Sequence, residues 1–183
     1  MTGAMGRLFG ATIVAAMAVG CIVEVGGGES QWTFDAPETL EASVGNGDIR
    51  VSTSRSDRLF ARWEGGGLGN NASPDVAELV DGTVVIDANG LAGGGTLEIE
   101  TPDDTDLGLL VDRGSIDVYL DAPTNVFACA GAGRVAIDVP PGPYRLEVGA
   151  LVGVIDNAIV DDPNAPYTIE VCVGAGEVEL RTH

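Results

Sequence analysis

The chain contains no lysine and a single histidine, His183, at the last position of the sequence. Without lysine there is no Schiff-base or P-loop chemistry, and the glycine-rich stretches lack the Gly-Lys-Ser/Thr ending of a phosphate loop. One imidazole, at a position expected to fray, excludes a Ser-His-Asp triad and a multi-histidine metal centre. Aromatic residues make up only 5% of the chain, and nine arginines face 28 acidic residues for a net charge of −19. That balance disfavours nucleic acid and anionic lipid headgroups; it favours solubility and loose association with divalent cations or basic partners.

Charge is also missing from Leu8–Gly20, an apolar run that follows the lone basic Arg7 and ends at Cys21. The run is too short for the roughly 20 residues that span a bilayer, so residues 1–20 read as a signal peptide. Two cleavage sites compete. Ala16-Met17-Ala18 fits ordinary signal peptidase, whereas Ala18-Val19-Gly20-Cys21 resembles a bacterial lipobox, whose cysteine carries lipid. The lipobox reading is preferred, because Gly26-Gly27-Gly28-Glu29-Ser30 then serves as a flexible tether. It makes residues 21–36 a lipidated cysteine with its tether and residues 37–183 a single β domain. Ile22 stands where an aspartate would retain such a protein at the inner membrane, so the resemblance implies the outer membrane or cell surface. The alternative is a soluble secreted or periplasmic protein.

What the sequence has in abundance is glycine, and the glycines are periodic. Gly47, Gly114, Gly133, Gly153 and Gly176 each follow three aliphatic residues placed seven, five and three positions earlier, as in Leu107/Leu109/Val111 and Ile169/Val171/Val173. Aliphatics recur two and four positions later, as in Ile116/Val118; Asn157 is the one polar exception. Spacing of two belongs to strands with one buried face. Each unit therefore reads as strand, tight glycine turn, strand. Pro37, Pro123, Pro143 and Pro166 each precede the first inward aliphatic by three residues and mark an outer corner.

The last four glycines are 19, 20 and 23 residues apart. Units this short bury their apolar face only by stacking, so the expected fold is all-β, a β-solenoid of strand-turn-strand rungs, with a β-sandwich of hairpins as the alternative. The longer interval before Gly114 still carries strand-like stretches at 57–64, 76–81, 83–88 and 96–101, which read as degenerate rungs with longer loops. Residues 65–74 are the expected projection.

The phrases GNGDIRV, DRGSIDV, GAGRVAI and GAGEVEL resemble the glycine-rich rungs of the bacterial "putative adhesin" domain family, repetitive β-solenoids of unknown function found on exported proteins. The resemblance spans about residues 38–182. It implies an exported or envelope protein and supplies no catalytic residues.

Candidate chemistry is confined to a few side chains. Asp103, Asp104 and Asp106 cluster beside Pro102, and Asp161 and Asp162 beside Pro163. Such clusters are the raw material for calcium binding or for acid–base attack on a polysaccharide, although neither has an EF-hand spacing. Phe60, Arg62 and Trp63 could form a stacking platform for a sugar, but alternation turns Trp63 inward and leaves Phe60 and Arg62 outside. With Cys21 lipidated, Cys129 and Cys172 remain. An even pair in an exported protein favours a disulfide. Sequential stacking instead puts Gly149 between them and their Cα atoms roughly 9–10 Å apart, beyond bridging distance. The expectation from register is free or weakly strained thiols. The leading reading is thus a non-enzymatic, lipid-anchored envelope protein for adhesion, scaffolding or binding of a protein or polysaccharide partner. Its rivals are a polysaccharide-active enzyme using clustered carboxylates and a calcium-stabilised module.

Overall fold

The computed structural model describes residues 23–25, 29–65, 73–89, 91 and 93–183. Cys21, the signal peptide and most of the expected projection lie outside the described residues. Within them the chain is all-β: β1 (Val23–Val25), β2 (Glu29–Asp35), β3 (Thr39–Thr53), β4 (Arg58–Gly65), β5 (Asp75–Glu78), β6 (Thr83–Ala88), β7 (Gly95–Thr101), β8 (Asp106–Tyr119), β9 (Val126–Val139), β10 (Tyr144–Asn157) and β11 (Tyr167–Thr182). All eleven join one mixed sheet.

The repeat copies β3, β8, β9, β11 and β10 pair parallel and in register, so that like positions fall in columns. The expected tight turn is instead a corner inside a continuous strand. In β8 the buried residues are Leu107, Leu109 and Val111 before the glycine and Ile116 and Val118 after it. Val111 and Ile116 are an odd number of positions apart, so a straight strand would turn them to opposite faces. The corner glycine, at positive φ, restores the inward direction and lets both arms of the strand line one core.

A second constraint acts at the same glycines. A Cβ on Gly114 would overlap the carbonyl oxygen of Gly47, and the relation repeats for Gly133 on Gly114, Gly176 on Gly133 and Gly153 on Gly176. The backbones meet so closely at the corner that no side chain fits between them.

The interval before β8 contains a broken copy of the same unit. β6 pairs parallel with the first arm of β3, placing Val84 and Ile86 beside Leu40 and Ala42. β7 pairs with the second arm, placing Gly95 beside Gly47, and Leu97 and Ile99 beside Ile49 and Val51. Residues 89–94 interrupt the unit at its corner. Antiparallel strands then cover this end of the sheet, β4, β2 and β1 over the second arm and β5 over the first.

Two expectations are corrected here. Residues 29–35, assigned to the tether, form β2, which pairs with β4 and buries Trp32 and Phe34. The β domain therefore reaches back to Glu29. The copies also do not stack in sequence order. β11 lies between β9 and β10, so Cys172 is the direct neighbour of Cys129. Their Cα atoms are 4.6 Å apart and the sulfurs are bonded, in place of the expected free thiols. The reason lies in the inward residues. β11 offers Ile169, Val171, Val173, Val178 and Leu180, all buried, whereas β10 ends in Asn157, which is tolerated only where the stack meets water.

Outer corners are tied by side chains at the prolines' level. Thr105 donates to the Pro37 carbonyl at 3.1 Å, Thr124 donates to the Thr105 carbonyl at 3.0 Å, and the Thr168 N–H donates to Asn125 Oδ1 at 2.9 Å. Tyr144, buried, donates its hydroxyl to the Pro140 carbonyl at 2.9 Å, and burial pushes its phenol pKa up.

Two outcomes follow from this packing. Gly133→Ala should cost at least about 3 kcal/mol in a urea unfolding titration, while Gly149→Ala, with nothing within 4 Å of its added Cβ, should stay within about 0.5 kcal/mol of the parent. Equal effects would contradict the corner constraint. Cys129→Ser should lower stability by about 2–4 kcal/mol under non-reducing conditions, and a non-reduced peptide digest should contain the two cysteine peptides as one species.

Candidate functional site

Strands β2, β4, β7 and the second arm of β3 lie side by side, and their outward residues alternate with the core. Gln31, Thr33, Phe60, Arg62, Glu98, Glu100, Arg50 and Ser52 thereby share one shallow groove of about 490 Å³. Phe60 is 39% exposed and is the aromatic ring that the described residues present to the groove; the Trp32 body is turned into the core.

Arg62 organises the floor. Its Nε donates to Glu29 Oε1 at 2.7 Å, one terminal nitrogen pairs with Glu64, and the other lies 3.8 Å from Glu98. The hydrogen bond to Glu29 and the surrounding carboxylates raise the guanidinium pKa further above its ordinary value. Glu98 also pairs with Arg50 at 3.6 Å. The arginine donors are thus largely spent on neighbouring carboxylates. What remains for a ligand is the Phe60 face, Gln31, Thr33 and the carboxylate of Glu100, a surface suited to polar contact and stacking.

The ion pairs continue along the same outward face. Arg134 joins Asp117 at 2.9 Å and also pairs with Glu179, which in turn pairs with Arg181. His183, expected to fray, stacks on Tyr119 with ring centroids 4.6 Å apart, and its Nδ1 lies 3.0 Å from Asp138. Exposed pairs of this kind contribute little stability each. They set the character of the face, which is mixed in sign although the chain as a whole is strongly acidic.

Of the sequence candidates, Phe60 and Arg62 share the groove, while Trp63 is 1% exposed and its ring fills the space that a Cβ on Gly95 would need. Trp63 therefore belongs to the core and leaves the stacking platform. Its Nε1 has no hydrogen-bond partner among the described residues. The carboxylate clusters serve the corners. Asp106 Oδ1 accepts from Asn125 at 3.0 Å, Asp161 Oδ1 accepts from the Leu146 N–H at 2.9 Å, and Asp162 Oδ1 accepts from the Asn164 N–H at 2.9 Å. Asp103 and Asp104 are exposed in the turn before β8. No group of three or more potential metal ligands gathers among the described residues. Asp106 begins β8 and Asp161 lies beyond β10, which places four strand spacings between them. At ~4.8 Å each they are roughly 19 Å apart, about twice the carboxylate separation of an inverting glycosidase.

The groove residues Gln31 and Thr33 were missed because β2 read as tether; the alternation of Trp32 and Phe34 with polar neighbours was the available signal. Trp63→Ala should destabilise the fold by about 3–5 kcal/mol, whereas Phe60→Ala should leave the thermal midpoint nearly unchanged. A Phe60 variant as unstable as the Trp63 variant would show that the groove is structural.

No protein-family profile matches the chain, and no curated protein matches it in sequence. In fold it is similar to a solved structure described as a "putative cell adhesion protein" from Clostridium sporogenes ATCC 15579, with a TM-score of 0.57 and 15% identity over 85% of this chain and 99% of that chain. At that identity the likeness is one of fold.

Proposed function

We propose that this chain is a non-enzymatic, lipid-anchored protein of the bacterial cell envelope, whose β-solenoid is held off the membrane for adhesion or partner binding. The observation that carries the reading is the likeness of fold, over most of both chains, to the protein described as a "putative cell adhesion protein". The solenoid reading is supported by the parallel in-register columns and the repeated corner. No helix among the described residues is long and apolar enough to cross a membrane, so the lipid on Cys21 is the proposed attachment. The groove around Phe60 is the proposed contact surface for a polysaccharide or protein partner. Widely separated carboxylates that cap the corners weigh against the enzymatic alternative, and neither that alternative nor calcium binding has an observation in its favour.

Fractionation of the native host tests the anchor. The parent protein should pellet with membranes and carry acyl mass on Cys21, and Cys21→Ala should move to the soluble fraction. A variant that still pellets would contradict the anchor.

A further inference from the structure

The two ends of the stack are finished differently. One is covered by antiparallel β4, β2, β1 and β5; the other is β10 itself, whose side away from β11 meets only a short stretch of the following loop among the described residues. Asp161 bridges Tyr144, its carboxylate takes the Leu146 N–H, and the Asp162 N–H donates to the Tyr144 carbonyl at 2.8 Å. From Val148 to Asn157 no described residue pairs with that side.

This bare stretch is apolar. Leu151 is 88% exposed and Val152 70%, and Val154 and Ile155 are exposed as well. No charged residue lies between Glu147 and Asp156, whereas the same stretch of the neighbouring copies carries Arg113 in β8, Arg134 in β9 and Glu177 in β11. Edge strands are ordinarily blunted by charge, proline or a covering segment. β10 has none of these over its free length.

We propose that two copies of this chain join here, β10 against β10, antiparallel about a two-fold axis at the corner. The bare edge is complementary to itself. The bare stretch is centred on the corner, with inward Val148 and Ala150 on one side and inward Ile155 and Asn157 on the other. Reversed on itself, it sets Val148 opposite Asn157 of the second copy, Ala150 opposite Ile155 and Leu151 opposite Val154. Inward residues then meet inward ones across the whole length, and the core continues from one copy into the next. Asp156 meets Gly149, so no like charges face each other. A shift of the contact by one pair toward the N-terminal arm would set Glu147 against Asp156 and is disfavoured. With a net charge of −19 on each chain, an uncharged edge is where two copies approach with least repulsion. The far end has antiparallel strands and no matching corner, so the contact closes as a dimer instead of propagating as a fibre.

Sedimentation equilibrium of the full-length chain, in density-matched detergent, tests this across a concentration series. The parent should sediment as a dimer. Leu151→Glu with Val154→Glu, both at exposed positions, places like charges opposite one another and should give a monomer with an unchanged far-UV spectrum. Leu151→Arg with Val154→Glu places opposite charges together and should remain dimeric. A monomeric parent, a dimer that survives the double glutamate, or a charge-paired variant as monomeric as the glutamate one would each overturn the proposal.

Discussion

At each corner the carbonyl oxygen of one glycine occupies the space in which the next glycine would carry a side chain. Gly95, Gly47, Gly114, Gly133, Gly176 and Gly153 form this column in spatial order. The contact fixes three things together. It sets the register, because a strand displaced by one residue would bring a Cβ into the column. It turns the second arm of each strand back toward the core of the first. It also forces the aliphatic positions on both arms into columns, which is how units of about twenty residues acquire a shared interior.

Much of this was legible in the sequence, because both arms obey a spacing of two and the glycine marks where the parity changes. Val111 and Ile116 show how the reading was right about burial and wrong about shape: both are inward, yet the chain between them never leaves the strand. Stacking order was less accessible. Nothing in a local pattern states which copies touch, and sequential stacking is only the simplest assumption. Two residues did carry the information. Asn157 in an inward column belongs at an end of the stack, and Cys129 with Cys172 in one outward column belongs on adjacent strands. Read together they exclude β10 from the position between β9 and β11. The broken copy formed by β6 and β7 was hidden because the insertion falls at the corner, separating Ala88 from Gly95 and erasing the fixed spacing by which the other copies are found.

The candidate site follows from the same architecture. Outward positions lie about 4.8 Å apart from strand to strand along a column and about 6.6 Å apart along each strand, which suits rows of alternating charge and a broad shallow contact surface. Among the described residues the Asp106 and Asp161 carboxylates stand at separate corners of the stack instead of converging. Of the acidic residues that drew notice in the sequence, Asp106, Asp161 and Asp162 take backbone N–H groups and amides where the chain turns. Phe60 and Arg62 could be assigned outward from alternation alone; that the Arg62 donors are already committed to Glu29 and Glu64 could not, since Glu29 comes from a strand that composition disguised as a linker.

The most direct test of the account is native-state hydrogen exchange along β11. With β9 on one side and β10 on the other, the amides from Ile169 to Leu180, apart from Gly174 at the corner, should exchange slowly, close to the rate of global unfolding. Fast exchange at alternate residues of β11, the pattern of a strand with one free edge, would contradict the stacking order on which the disulfide, the exposed face of β10 and the corner column all depend.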